Sequence, residues 1–454
     1  MKLWPFKKSI TRAEKRTLAV AKAIINRKRY SRFLRVLGPG LVTGAADDDP
    51  SGIATYSQAG AAHGTGLLWT FPLMFPLLLA VQESCARIGA ITGKGLAANL
   101  KEHYSRPVLY SAVILVLIAN ILNIGADLGA MAATMQLFVD VPYELLAVGF
   151  AFGIVALEVG VPYRLYSKIL KWLAITLFAY PVTAFLIGQD WGAVLLATFT
   201  IPKQIDMSTM YIIVGMLGTT ISPYLFFWDT SQVVGEEVTK HTMAKIGRDE
   251  VPTRHFLHKL RIDNLTGMGL ASLTAWFIVI VCGSVLFSHG ITSINSAADA
   301  AKALEPLVSS LPNAGLMSKI IFSVGIIGLG MLAVPVLAGS ASYAIAESFG
   351  WKEGLWRNVR RAAGFYTVLI LATLVGLGLN FLHIDPIKAL IFTAVVNGIT
   401  AVPLLFMILR VGNNGDVMGQ YKNGLWSNLG VWAAFIVMTV AAGVLIIGAI
   451  LGKL

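Results

Sequence analysis

Apolar tracts of membrane-crossing length alternate with short polar punctuation along almost the whole chain. They fall at about 38–61, 66–91, 107–136, 141–159, 165–188, 207–235, 259–288, 316–347, 362–382, 387–410 and 427–451. A helix needs about 20 apolar residues to cross a bilayer core. Each tract therefore predicts one span, and together they predict an all-α polytopic membrane protein with eleven spans. No polar block of domain size interrupts them. The expected organisation is a tail at 1–37 followed by a single membrane domain over 38–454.

Composition narrows the class without changing it. Of 454 residues, 56% are hydrophobic and only 13% charged, against about 25% charged in an ordinary soluble domain. That excludes a water-soluble enzyme. The net charge of +12 would suit nucleic acid, but twelve of the Lys and Arg lie in residues 1–37 against one acid, Glu14. A basic tail directly before the first span marks a cytoplasmic N-terminus, placed to rest on anionic lipid heads. With the tail inside, 31 of the 36 Lys and Arg collect on the inner side. The C-terminus then lies outside, and nucleic acid is not an expected partner. No short apolar stretch with a small-residue cleavage site precedes the first tract, so no signal peptide is expected. Cys85 and Cys282 lie in apolar tracts and exclude a disulfide framework. The polar stretch 236–258, with His241, His255 and His258, reads as a solvated cytoplasmic linker.

Tract one carries Asp47-Asp48-Asp49-Pro50-Ser51-Gly52 in its middle. Each Asp there costs roughly 2.5–3.5 kcal/mol on the insertion scale. Pro50 also removes a backbone donor. The physical solution is an interrupted helix whose carboxylates and free carbonyls face a cavity. Tract six has a parallel run, Gly218-Thr219-Thr220-Ile221-Ser222-Pro223-Tyr224, and a Ser-Gln pair follows each break (Ser57-Gln58 and Ser231-Gln232). Two interrupted helices five spans apart predict an inverted repeat of five plus five, with substrate bound at the breaks. Repeat one is expected at about 38–188, repeat two at about 207–410, and an extra span at 427–451. Acids at the C-terminal end of a half-helix favour a cation. Oxygen ligands favour Mg²⁺, Ca²⁺ or Mn²⁺, while a Na⁺ site beside an organic solute is the alternative.

Several motifs resemble those of NRAMP metal-ion transporters. Asp49-Pro50-Ser51-Gly52 resembles the Asp-Pro-Gly-Asn break of their first helix, and Thr219-Thr220-Ile221-Ser222-Pro223-Tyr224 their Ala-Thr-Val-Met-Pro-His in helix six. The run from Gln82 to Ala97 resembles the end of helix two, and Ala126-Asp127-Leu128 an element of helix three. The resemblance implies a LeuT-type fold with broken helices 1 and 6 and alternating access. It also implies a metal site at Asp49, Gly52, Ser222 and the carbonyls of Ala46 and Thr219, with Asp48 adding negative charge. No cofactor is implied beyond the transported ion.

The departures from that pattern carry information. Gly52 stands where the family has Asn, and Ser222 where it has Met. A thioether favours softer transition metals, and Mg²⁺ usually keeps several waters. A wider, all-oxygen site therefore resembles the NRAMP-related magnesium transporters, with Mn²⁺ a further substrate. A proton-coupled Mn²⁺/Fe²⁺ importer is the alternative within the family. Tyr224 replaces the His after the proline, and Ala130 stands where an acid is expected. Both point away from proton coupling. Asp127 and Asp229 remain as substitute carriers. Asp229 either lines an outer vestibule or is held by hydrogen bonds. Asn397 offers an oxygen to an occluded ion or bridges two helices, the second being the expected role.

Overall fold

The computed structural model describes residues 43–44, 46–161, 174–239 and 254–452. The basic tail, the start of the first tract, the first half of the fifth and most of the 236–258 linker with His241 fall outside them. Among the described residues, nine helices are long and apolar enough to cross a membrane. They coincide with the second to fourth and sixth to eleventh tracts.

The chain runs as a short half-helix, helical at 43, 44, 46 and 47, then α1 (Pro50–His63), α2 (Thr70–Thr92), α3 (Leu96–His103), α4 (Arg106–Met135) and α5 (Tyr143–Gly160). There follow α6 (Ala179–Leu186), α7 (Trp191–Phe199), α8 (Met207–Thr220), α9 (Pro223–Thr239) and α10 (Arg254–Val285). Further along lie α11 (Ala297–Lys302), α12 (Ala314–Phe349), α13 (Ala363–Leu379), α14 (Pro386–Asn413) and α15 (Leu425–Ile450), with a single turn at Gly415–Met418 before the last.

Each interruption lies just ahead of a proline. A residue before proline is pushed out of the helical region by the proline ring. Asp49, before Pro50, is extended at φ −66° and ψ 171°. Ahead of Pro223 the chain leaves the helix at Ile221, with φ −108° and ψ 62°, and resumes at Pro223. Helix packing then brings the two breaks together. α1 packs against α10, α14 and α8, and α9 against α2. α8 and α14 approach at backbone distance: a Cβ at Gly218 would overlap the Ala394 carbonyl and the Gly398 nitrogen.

One element escaped the hydrophobic pattern. Past the end of the fifth tract, α7 turns back at 117° to the segment Thr176–Leu186. Gly188 adopts φ +65° at the corner. Asp190 then opens the new helix by accepting from the N–H groups of Gly192 and Ala193, two of the orphan donors of a helix start. Leu196 and Phe199 are largely exposed, at 70% and 75%, which suits a helix resting in apolar surroundings rather than water.

Candidate metal site

Asp49 sits at the end of the gap and caps α1. Its Oδ1 accepts from the Gly52 N–H at 2.7 Å and the Ser51 hydroxyl at 2.6 Å. Its Oδ2 lies 3.4 Å from the Tyr224 hydroxyl, which donates to the Ala46 carbonyl at 2.9 Å. Ser51 Oγ reaches Thr219 Oγ1 at 3.4 Å, and the Tyr56 and Thr220 hydroxyls meet at 2.7 Å. These contacts lace one break to the other. Ser222 donates to the Thr219 carbonyl at 2.6 Å and the Gly218 carbonyl at 3.0 Å. A carbonyl oxygen has two lone pairs, so Ala46 and Thr219 each keep one.

Gly52 faces this set directly. A Cβ built on it would lie 3.1 Å from Thr219 Oγ1 and 3.5 Å from both the Asp47 carbonyl and Asp49 Oδ1. Asp49, Ala46, Thr219, Ser222 and Gly52 are thus neighbours in a fully buried place. Asp48 is buried in the gap itself, and Asp47 ends the first half-helix with Oδ1 unpartnered among the described residues. The grouping is one capping carboxylate among hydroxyls and carbonyls. Among the described residues, no three His, Cys, Asp or Glu side chains converge to hold a metal. What these donors offer is hard, oxygen-only coordination.

The other expected residues divide. Asp127, fully buried on α4, lies within electrostatic reach of Asp49 and Tyr224. Neither of its carboxylate oxygens has a hydrogen-bond partner among the described residues. Asn397 bridges helices: its Oδ1 accepts from Asn123 Nδ2 at 2.9 Å, tying α14 to α4. Asp229 is not part of the site. It is buried two turns beyond the second break, with Oδ2 3.4 Å from Asn264 Nδ2. Next to it, Thr230 donates to the Cys85 carbonyl in the C-terminal half of α2. α2 leads into the connection bearing Lys94 and Lys101, so Asp229 lies toward the basic side. Asp229 thus has the hydrogen-bond partner that one of its two expected roles calls for. Ser51, Tyr56 and Thr220 were missed by sequence reasoning. Their signal was weak, since hydroxyls are common in helices and only the crossing of the breaks gives these a partner.

A largely helical membrane protein whose two interrupted helices meet at a buried polar centre has the LeuT-type transporter fold. The comparisons with known proteins agree. A manganese transporter of Eremococcus coleocola superimposes with a TM-score of 0.70, covering 93% of this chain and 88% of its own, at 16% identity. MhsT, solved with L-phenylalanine, shares the fold more distantly, with a TM-score of 0.58 at 11% identity over 90% of this chain and 98% of its own. The Verminephrobacter eiseniae divalent metal cation transporter MntH is 27% identical over 98% of this chain and 94% of its own length. The family model "Natural resistance-associated macrophage protein-like" matches residues 40–448, and the chain belongs to that Nramp family.

Proposed function

We propose that this protein carries divalent metal cations across the membrane by alternating access, favouring Mg²⁺ and also passing Mn²⁺, without obligatory proton movement. The observation that carries the reading is Gly52 opening onto Thr219 Oγ1, the Asp47 carbonyl and Asp49 Oδ1, opposite a Ser222 that offers a hydroxyl. With neither an amide nor a thioether at these positions, the donors are all oxygen. The space left by the missing side chains suits an ion that keeps part of its water. Asp49 is the metal carboxylate, with the carbonyls of Ala46 and Thr219 completing the set and Asp48 raising the local negative charge. The two repeats, at about 38–188 and 207–410, rock about this centre. The N-terminus is cytoplasmic beside anionic lipid, and the C-terminus is outside.

The relative MntH of Verminephrobacter eiseniae is named a divalent metal cation transporter and the Eremococcus coleocola protein a manganese transporter, which supports the ion class and the inclusion of Mn²⁺. A second reading, a proton-coupled Mn²⁺/Fe²⁺ importer, is favoured by one observation: Asp127 buried without a hydrogen-bond partner among the described residues. Uptake into proteoliposomes under competing Mg²⁺, Mn²⁺ and Ca²⁺ tests the proposal. Mg²⁺ uptake that Mn²⁺ competes away supports it. Mn²⁺ uptake indifferent to excess Mg²⁺ overturns the preference.

A further inference from the structure

The Ser-Gln pair that follows each break is not used by the ion site, and the structure gives each copy a different task. Gln58 is eight residues past Pro50. Its Nε2 donates to the Thr292 carbonyl at 3.1 Å and its Oε1 accepts from the Ile294 N–H at 2.9 Å. One side-chain amide thereby pairs with a carbonyl and an N–H of the segment joining α10 to α11. Ser231 is eight residues past Pro223. Its hydroxyl donates to Glu347 Oε1 at 2.7 Å, while Glu347 Oε2 accepts from the Ala98 N–H at 3.1 Å. Ala98 lies in the first turn of α3. A Cβ at Gly95, the residue before α3, would collide with the Glu347 carboxylate, so glycine is what admits the acid to that helix start.

These two targets are equivalent parts of the two halves. α3 joins the second span to the third, and the 286–313 segment joins the seventh to the eighth. In an inverted five-plus-five arrangement they close opposite sides of the site. Each half-helix that begins at a break therefore carries, at the same offset from its proline, a side chain that fastens the connection closing its own side. Both fastenings are present together in this structure.

We propose that Gln58 and Ser231 are paired latches that set access to the site: release of Gln58 from Thr292 and Ile294 opens it to the side of α11, and release of Ser231 from Glu347 opens it to the side of α3. They are positioning residues that touch no ion. The inference rests on the transporter class and not on which ion is carried, so its failure leaves the ion assignment standing.

Spin-label distance measurements on the full chain in lipid nanodiscs test it, with Cys85 and Cys282 replaced by alanine. One label pair, at exposed Ser293 and Asp140, reports the α11 side; a second, at exposed His103 and Leu265, reports the α3 side. Gln58→Leu loses both hydrogen bonds and should raise the long-distance population of the first pair on the order of tenfold, leaving the second as in wild type. Ser231→Ala should do the reverse, and Ser231→Thr should restore the wild-type distribution. Gln58→Glu keeps the acceptor for Ile294 but loses the donor for Thr292, and should lengthen the first pair alone by a smaller factor. It is the variant to rely on should the leucine substitution fail to fold. Unchanged distances in Gln58→Glu and Ser231→Ala, or loosening of both sides alike by either one, overturn the proposal.

Discussion

The phenol of Tyr224 donates to the carbonyl of Ala46, 2.9 Å away across the two helix breaks. The same hydroxyl approaches Asp49 Oδ2 at 3.4 Å, so it competes with a cation for two of the candidate ligands. Tyr224→Phe removes that competitor and keeps the ring that fills the buried site. A net hydrogen bond is worth about 1 kcal/mol, so the apparent KM for Mg²⁺ should fall by about fivefold, with the pH dependence of uptake unaltered. A rise in KM would mean that the hydroxyl is itself a ligand.

Asp49 both caps α1 and reaches across to the second break through Tyr224. The two roles separate in magnitude. Loss of a capping side chain costs about 1 kcal/mol, which a folded membrane protein survives. Loss of the charged ligand removes the ion. Asp49→Ala should therefore purify as a monodisperse protein and show no metal uptake above empty liposomes. Near wild-type uptake in that variant would remove Asp49 from the site.

Selectivity should move with Gly52 and Ser222 together. An Asn side chain at 52 starts 3.1 Å from Thr219 Oγ1 and points among the oxygens, so it narrows the site and adds an amide. Ser222→Met releases the Thr219 and Gly218 carbonyls from their hydroxyl donor and adds a thioether. Mg²⁺ sheds water reluctantly and gains little from sulfur. The double variant Gly52→Asn/Ser222→Met should lower the Mg²⁺/Mn²⁺ uptake ratio by an order of magnitude or more, measured in competition. An unchanged ratio would place selectivity elsewhere.

Much of this architecture was legible because membrane helices announce themselves by length and by the cost of polar groups in lipid. Asp47 to Asp49 beside Pro50 mark a break without any alignment, since a lipid-facing helix cannot carry them. Pro223 alone is ambiguous, and it was the parallel with the first break that gave it meaning. What stayed hidden depends on crossing. Nothing in the sequence says that Ser51 reaches Thr219 or that Tyr56 meets Thr220, because those pairs lie more than 160 residues apart. α7 is hidden for a different reason: Gly188 and Asp190 are ordinary stop and start signals, but a nine-residue helix falls well short of a membrane-crossing tract. Of the two roles open to Asp229, charge alone could not choose, because its hydrogen-bond partner Asn264 lies on a separate helix.

Outside the spans, Glu353 offers a test of pH dependence. Burial, and then the negative charge of Glu347, push its carboxyl up to about 9, with Arg357 opposing. The folded form thus holds a proton that the unfolded chain releases near 4.5. Folding stability therefore falls as pH rises from about 4.5 toward 9 and levels off beyond. Glu353→Gln removes that dependence. Its melting temperature should exceed the wild type's at pH 8, and the gain should vanish by about pH 4.5. An equal gain at both pH values would show that the effect is packing and not ionisation.

The central claim is that a divalent ion crosses through Asp49 on its own gradient and the membrane potential. Moving one charge across 100 mV is worth about 2.3 kcal/mol, so a divalent ion gains roughly 4.6. At 1.36 kcal/mol per tenfold, that sustains accumulation on the order of 2,000-fold without protons. The most direct measurement loads proteoliposomes with a pH-sensitive dye, clamps the potential, and follows Mg²⁺ uptake and internal pH together. The account predicts Mg²⁺ uptake that grows with inside-negative potential, is abolished in Asp49→Ala, and leaves internal pH steady. Acidification that tracks Mg²⁺ uptake in the wild type and disappears in Asp49→Ala would contradict it, and would make Asp127 the first carboxylate to replace.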